Sequence, residues 1–130
     1  MNEGIYFILV AEDCDALQFV VAKQLERLGK FKTSFVTNGH QAIEKAKEIH
    51  YSLILMDVML PGIDGCEATK QIRKHEAESG TSHTPIIAIS AYSERARCEQ
   101  SGMDDFVSKP VLLKDLESIL HRWLQQSEGS

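Results

Sequence analysis

Short apolar runs alternate along this chain with segments in which apolar residues recur at helical spacing. Uniformly apolar runs, such as FILVA at 7–11, LILM at 53–56 and IIAI at 86–89, are typical of strands that are buried on both faces. FKTSFV at 31–36 and FVS at 106–108 have the composition of further strands. The pattern therefore predicts strands at 5–11, 31–36, 52–57, 86–90 and 106–108.

Helical periodicity fills the intervals between these strands. In the first interval, one helical face carries Leu17, Val21, Leu25 and Leu28. Gly29 is a natural end for this helix. Further helices are predicted at 42–49, 65–77, 93–101 and 113–124.

The alternation of strands and helices predicts a doubly wound α/β fold with a parallel five-stranded sheet, because each crossover carries a helix. In the strand order 2-1-3-4-5, the first and third strands flank the point where the order reverses. Ligands of such sheets bind there, outside the carboxyl ends of the strands.

Length and composition fit a single domain spanning 1–130, with a core at about 6–124 and a frayed tail at 126–130. The net charge of −5 gives no reason to expect nucleic-acid binding. No apolar run approaches the ~20 residues that span a bilayer, so no membrane contact is expected. The start of the chain does not resemble a signal peptide, and Cys14, Cys66 and Cys98 lack paired spacing. These features predict a cytoplasmic protein with reduced thiols.

Polar side chains follow four of the predicted strands at the carboxyl edge of the sheet. Glu12 and Asp13 follow the first strand, Asp57 ends the third, Ser90 ends the fourth and Lys109 follows the fifth. Clustered carboxylates repel one another without a cation, and oxygen ligands suit Mg²⁺. A carboxylate beside Mg²⁺ can attack phosphorus to give an acyl phosphate, while an ammonium offsets charge on the transferred oxygens. The set therefore predicts phosphoryl transfer to a carboxylate.

Five motifs in this chain resemble those of a receiver domain, the phospho-acceptor module of two-component signalling. They are LVAEDC, LERLG, MDVMLPGIDG, IIAISA and GMDDFVSKP, and the resemblance runs from about Tyr6 to Leu124. It implies a flavodoxin-like (βα)5 fold of the kind seen in CheY-like proteins. It also implies a signalling protein rather than an enzyme that turns over a substrate.

The resemblance assigns roles to the acidic residues. It implies that Asp57 is the phosphorylation site and that Asp13 binds Mg²⁺ directly. Glu12 would bind the ion through water, and the backbone carbonyl of Met59 would be a third protein ligand.

The resemblance also implies a switch. Ser90 stands at the Ser/Thr switch position, and Phe106 is the switch aromatic. Lys109 would contact the phosphoryl oxygens, and the peptide bond between Lys109 and Pro110 would be cis. Two residues depart from the family pattern. Cys14 replaces a frequent Asn and is a poorer local hydrogen-bonding residue, which puts loop rigidity in doubt. Phe106 replaces a frequent Tyr, so no hydroxyl is available for the switch.

Three classes of function remain open. In the first, Asp57 accepts a phosphoryl group from a histidine kinase or a histidine phosphotransfer domain. The chain then either switches a partner-binding surface or passes the phosphate onward within a hybrid histidine kinase. The second is an aspartyl-nucleophile phosphatase of the haloacid dehalogenase type, but Met59 stands where such enzymes carry a second acid. The third is a binding module that is not phosphorylated, which the intact acidic set argues against. A phosphorylation-dependent dimer is a further expectation.

Overall fold

Five parallel strands form one sheet in the computed structural model, which describes residues 5–128. Helices on both faces connect successive strands. In chain order the elements are β1 (Tyr6–Ala11), α1 (Asp15–Leu28), β2 (Phe31–Val36), α2 (Gly39–Glu48), β3 (Leu53–Asp57), α3 (Gly65–Ser79), β4 (Ile86–Ser90), α4 (Arg95–Ser101), β5 (Asp105–Ser108) and α5 (Leu113–Glu128).

The strand order is β2-β1-β3-β4-β5, and every pairing is parallel. This confirms the predicted doubly wound topology with order 2-1-3-4-5. The chain reverses direction across the sheet between β1 and β3, so the crevice of the switch point opens above the carboxyl ends of these two strands.

The three central strands divide the core into two layers, because successive side chains point to opposite faces. Leu9, Ile54 and Ile86 pack with α2, α3 and α4, whereas Ile8, Leu55 and Ile87 pack with α1 and α5. All the side chains of β3 and β4 are buried. Burying each of these large apolar side chains contributes about 1.5–3 kcal/mol, so the strands that carry the edge residues are the most firmly held.

The helix predicted at 93–101 is shorter than expected. A 3₁₀ turn, Tyr92–Glu94, precedes α4, so the α-helix begins at Arg95. In α1, Val21 and Leu25 are buried but Leu17 is only half-buried. Leu17 lies in the first turn of the helix, next to the carboxyl edge of the sheet, where less of the core covers it.

The predicted strands agree with the observed strands to within one residue at each end. The helix α2 begins three residues earlier than predicted, at Gly39, and α3 ends two residues later, at Ser79. The predicted tail begins inside the last helix, since α5 continues to Glu128, and residues 129 and 130 lie outside the described residues. Within 5–128, the helices are too short or too polar to cross a membrane.

Candidate functional site

Strand register brings Glu12 beside Asp57. Ala11 of β1 pairs with Met56 of β3. The residues that follow them, Glu12 and Asp57, therefore face one another at the carboxyl edge of the sheet. Both carboxylates are buried, at 3% and 1% exposure, whereas Asp13 is exposed. One oxygen from each of the three carboxylates lies within 4.8 Å of the others. The acidic cluster predicted from the sequence is therefore assembled by the fold.

The Asp57 carboxylate is held on both of its oxygens. The backbone N–H of Met59 donates to Oδ1 at 3.0 Å, and the Lys109 ammonium donates to Oδ2 at 2.8 Å. Lys109 is itself fixed to the neighbouring strand, since its backbone N–H donates to the Ser90 carbonyl at 2.9 Å. The Lys109–Pro110 bond is cis, as the resemblance implied.

Burial and charge set the protonation of this cluster. Burial, together with the hydrogen bond to the Asp57 side chain, raises the pKa of Glu12 to about 7. Burial alone would lower the pKa of Lys109. The hydrogen bond to Asp57 and the charges of Asp57, Glu12 and Asp13 outweigh this effect, so its pKa is raised. Without a cation, a proton on Glu12 relieves part of the repulsion.

The turn after β3 depends on a glycine whose role the sequence did not reveal. A Cβ built on Gly65 would lie 2.1 Å from the carbonyl oxygen of Asp57 and 3.0 Å from Cγ of Met56. The first residue of α3 can therefore approach β3 this closely only as glycine. Asp64 caps the helix by accepting from the Glu67 N–H at 2.9 Å. A glycine at the first position of the helix predicted at 65–77 was the available signal.

Ser90 and Phe106 lie on neighbouring strands beside this cluster. Ser90 is buried at the end of β4, one position beyond the residue that pairs with Asp57. Phe106 is half-buried on β5, with the Tyr92 ring edge-on at 6.3 Å and the Arg95 guanidinium 5.6 Å from its centroid. Tyr92 and Arg95 were missed in the sequence, where both look like solvated residues of a polar helix.

Cys14 precedes α1 at the cap position. Its backbone N–H donates to Glu12 Oε2 at 3.1 Å, and its side chain makes no capping hydrogen bond within the described part of the chain. The backbone at this position thus helps to hold Glu12, while the thiol does not replace an Asn as a cap.

The donor set suits a hard divalent cation. Three carboxylates without a nearby His or Cys ligand are the oxygen-rich chemistry that Mg²⁺ prefers. Glu12, Asp13 and Asp57 could therefore hold a metal ion. The backbone N–H of Met59 donates to the Asp57 carboxylate. The role of the Met59 carbonyl as a metal ligand stays a prediction.

Comparisons with known proteins agree with this geometry. The family model for the response regulator receiver domain matches residues 8–121. Hybrid signal transduction histidine kinase G of Dictyostelium discoideum is 38% identical over 120 residues, which are 89% of this chain and 3% of that protein. The peroxide stress-activated histidine kinase mak1 of Schizosaccharomyces pombe is 38% identical over 132 residues, 96% of this chain and 8% of that protein. The chain thus spans less than a tenth of either relative.

Two solved structures have the same fold. The receiver domain of sensor histidine kinase PA1611 from Pseudomonas aeruginosa, with a magnesium ion in its active site cleft, is 36% identical with a TM-score of 0.83. The alignment covers 94% of this chain and 99% of that one. The receiver domain of Ssk1 from Saccharomyces cerevisiae, in complex with the histidine phosphotransfer protein Ypd1, is 28% identical with a TM-score of 0.88, covering 95% and 91%.

Proposed function

This chain belongs to the response regulator receiver domain family, and from that premise we propose that Asp57 accepts a phosphoryl group from a phosphohistidine of a histidine kinase or phosphotransfer domain. The observation that carries the proposal is the setting of Asp57. It is a buried carboxylate with an ammonium 2.8 Å from one oxygen and two further carboxylates within 4.8 Å. The match to the family from 8 to 121 includes every residue of this set.

The chemistry is transfer of a phosphoryl group from a histidine nitrogen, the donor, to a carboxylate oxygen of Asp57, the acceptor. An oxygen of Asp57 forms a bond to phosphorus as the bond from phosphorus to the histidine nitrogen breaks, and the imidazole leaves as a neutral ring after taking a proton from solvent. Lys109 then exchanges its hydrogen bond with Asp57 for one with a phosphoryl oxygen. The N–H of Met59 keeps the carboxylate oriented during the attack.

Mg²⁺ is the proposed cofactor, held by Glu12, Asp13, Asp57 and the Met59 carbonyl. When bound, it would neutralise charge on the carboxylates and the phosphoryl oxygens. The acidic cluster supports this assignment, as does the magnesium ion in the cleft of the Pseudomonas aeruginosa receiver domain. We propose that the domain is a signalling module in the cytoplasm. With the ion bound, it would catalyse only its own phosphorylation and dephosphorylation, and we expect no activity toward other substrates.

The test is phosphorylation with a small phosphodonor such as acetyl phosphate, in the presence of Mg²⁺, followed by intact mass. We expect one added phosphoryl group on the parent chain and none on Asp57→Asn. Asp64→Asn is the matched control, because it changes a carboxylate on the same edge but keeps a good helix cap. Full labelling of Asp57→Asn would remove Asp57 as the acceptor.

A phosphohistidine donor must reach Asp57 from above the carboxyl edge. Met59 is 70% exposed two residues after Asp57, and Phe19 is 63% exposed on the second turn of α1. These apolar side chains border the edge and supply contact surface for the donor. The complex of Ssk1 with Ypd1 supports a phosphotransfer protein as one such partner.

The output is proposed to be a switched surface on α4, β5 and α5. Ser90 turns toward the phosphoryl group and vacates space beside Phe106. Phe106 then moves inward, away from its present contacts with Tyr92 and Arg95, into a position that packing alone can hold. Dimerisation through this surface after phosphorylation is part of the proposal.

A second candidate role is onward transfer of phosphate within a hybrid histidine kinase. It is favoured by the relatives, which are hybrid and sensor kinases many times longer than this chain. Mixing the phosphorylated chain with a histidine phosphotransfer protein separates the two roles. Rapid loss of the label to that protein, without NMR shift changes in α4 or β5, would favour relay over switching.

A further inference from the structure

Cys66 and Cys98 form a thiol pair inside the protein, between α3 and α4. Cys66 lies in the first turn of α3 and Cys98 lies within α4. Both are buried in the same core cluster, at 3% and 1% exposure. The Cys66 sulfur lies 4.0 Å from the carbonyl oxygen of Arg97, the residue directly before Cys98. The third cysteine, Cys14, is exposed before α1.

We propose that Cys66 and Cys98 are an oxidisable dithiol, which a peroxide converts to a disulfide that links α3 to α4. A disulfide needs its two residues close in space, and these two cysteines are close because the Cys66 sulfur lies 4.0 Å from the carbonyl oxygen of the residue directly before Cys98. All three cysteines are free in this structure, which is the reduced form that a cytoplasmic compartment maintains.

The two thiols differ in how an oxidant reaches them. Cys66 lines an open groove between α3 and α4, together with Asp64, Lys70 and Arg97. Cys98 is one of the most deeply buried residues of α4 and does not line this groove. Cys66 is therefore the thiol that meets peroxide, and Cys98 is the resolving thiol behind it.

The reaction balances with hydrogen peroxide as the oxidant. The Cys66 sulfur attacks one peroxide oxygen, the O–O bond breaks, and the products are Cys66 sulfenic acid and water. The Cys98 thiol gives up its proton as its sulfur attacks the Cys66 sulfur and the S–O bond breaks, and that proton leaves with the hydroxyl group as a second water. Two thiols have lost two electrons, and one peroxide has been reduced to two waters.

The environment of Cys98 agrees with this order of events. Burial raises the pKa of the Cys98 thiol to about 12, and the adjacent Cys66 adds to the effect. Cys98 therefore remains a thiol at neutral pH and does not compete for peroxide, because the thiolate is the reactive form.

The disulfide would act on the element that the proposed function requires to move. α4 is a short helix whose displacement is part of the proposed switch, and a covalent link to α3 would oppose it. This consequence rests on the proposed function, whereas formation of the disulfide does not.

The test uses the full chain carrying Cys14→Ser, so that only the two buried thiols remain. The folded protein is treated with hydrogen peroxide, quenched, and alkylated after denaturation. We expect the number of alkylated thiols to fall from two to none, and a mass lower by two hydrogen atoms, with peptide mapping that joins Cys66 to Cys98. Dithiothreitol should restore both thiols.

Two variants assign the order of oxidation. In Cys98→Ser, peroxide should leave a sulfenic acid on Cys66 that dimedone traps, whereas in Cys66→Ser the Cys98 thiol should remain reduced. Oxidation of Cys66 to sulfinic acid without a cross-link in the folded parent would overturn the proposal. A cross-link that forms only in urea would overturn it as well, because the native contact would then have no part in it.

Phosphorylation gives a separate readout. In the cross-linked chain, labelling of Asp57 should persist while the phosphorylation-induced NMR shifts of α4 disappear. If the disulfide forms but Asp57 takes no label even after reduction, the proposed function fails and the dithiol stands.

Discussion

Replacing Glu12 by Gln tests the electrostatics of the site, because this carboxylate changes its protonation state on folding. Its usual pKa is 4.5, and burial together with the hydrogen bond to Asp57 raises it to about 7 in the folded protein. The folded state therefore holds a proton on Glu12 between these values, where the unfolded chain has released it. By linkage, the contribution of Glu12 to the stability of the metal-free protein is largest below pH 4.5 and is lost as pH rises through 7.

The size of this effect follows from the same two values. A pKa difference of this size corresponds to about 3 kcal/mol, at about 1.4 kcal/mol for each pH unit. Because the titration of Glu12 is coupled to a neighbouring group, we expect about 2–3 kcal/mol in practice. In a chain of this length that is a fall in melting temperature of about 6–12 °C between pH 4.5 and pH 8.

The assay is thermal unfolding followed by circular dichroism in EDTA, for the parent and Glu12→Gln at matched pH values. The variant cannot titrate at this position, so its stability relative to the parent should rise with pH and level off above pH 7. Adding Mg²⁺ should reverse the order at pH 8, because the parent gains a ligand that binds only the folded state. Parallel pH profiles for the two chains would refute the assignment of a protonated Glu12.

Three further predictions concern neighbouring residues. Gly65→Ala should lower the free energy of unfolding by about 3 kcal/mol and slow phosphorylation, since the new Cβ displaces Asp57. The control Gly29→Ala should lower it by under about 1 kcal/mol, because the new Cβ meets only a movable ring. Denaturant unfolding and labelling rates check both variants. Lys109→Ala should keep the far-UV spectrum but weaken the NMR response to phosphorylation, and a loss of helical signal would assign Lys109 a structural role. Ser90→Ala should leave the mass gain on Asp57 intact while reducing shifts in α4 and β5, so an unchanged response would contradict the switch.

The sheet and most of the site could be predicted from the sequence because both follow from short-range patterns. The apolar runs of β3 and β4 identified a buried parallel sheet, and the polar residue that ends each run identified Asp57 and Ser90 as edge residues. The 3₁₀ turn at Tyr92–Glu94 could not be predicted, since polar residues in a solvent-facing segment suit either helix type.

Contacts between distant elements were the other part that the sequence did not reveal. Nothing in the local pattern of Gly65 shows that the Asp57 carbonyl approaches it, because that distance is set by how α3 packs on β3. The pairing of Cys66 with Cys98 also depends on packing, in this case of α3 against α4. Odd cysteine number and irregular spacing argued against a disulfide framework, and these features carry no information about a single tertiary contact.

The packing around α4 shows how a change at Asp57 could reach this helix by a second route. Asp64, which caps α3 next to Gly65, forms an ion pair with Arg97 of α4. Arg97 is 51% exposed and Asp64 is 31% exposed, so this pair contributes at most about 1 kcal/mol. Cys66 of α3 and Cys98 of α4 are buried in the same core cluster, so displacing one helix there must displace the other or open a gap in the core. The core contact, rather than the surface ion pair, is therefore the stiffer connection between the turn that holds Asp57 and α4.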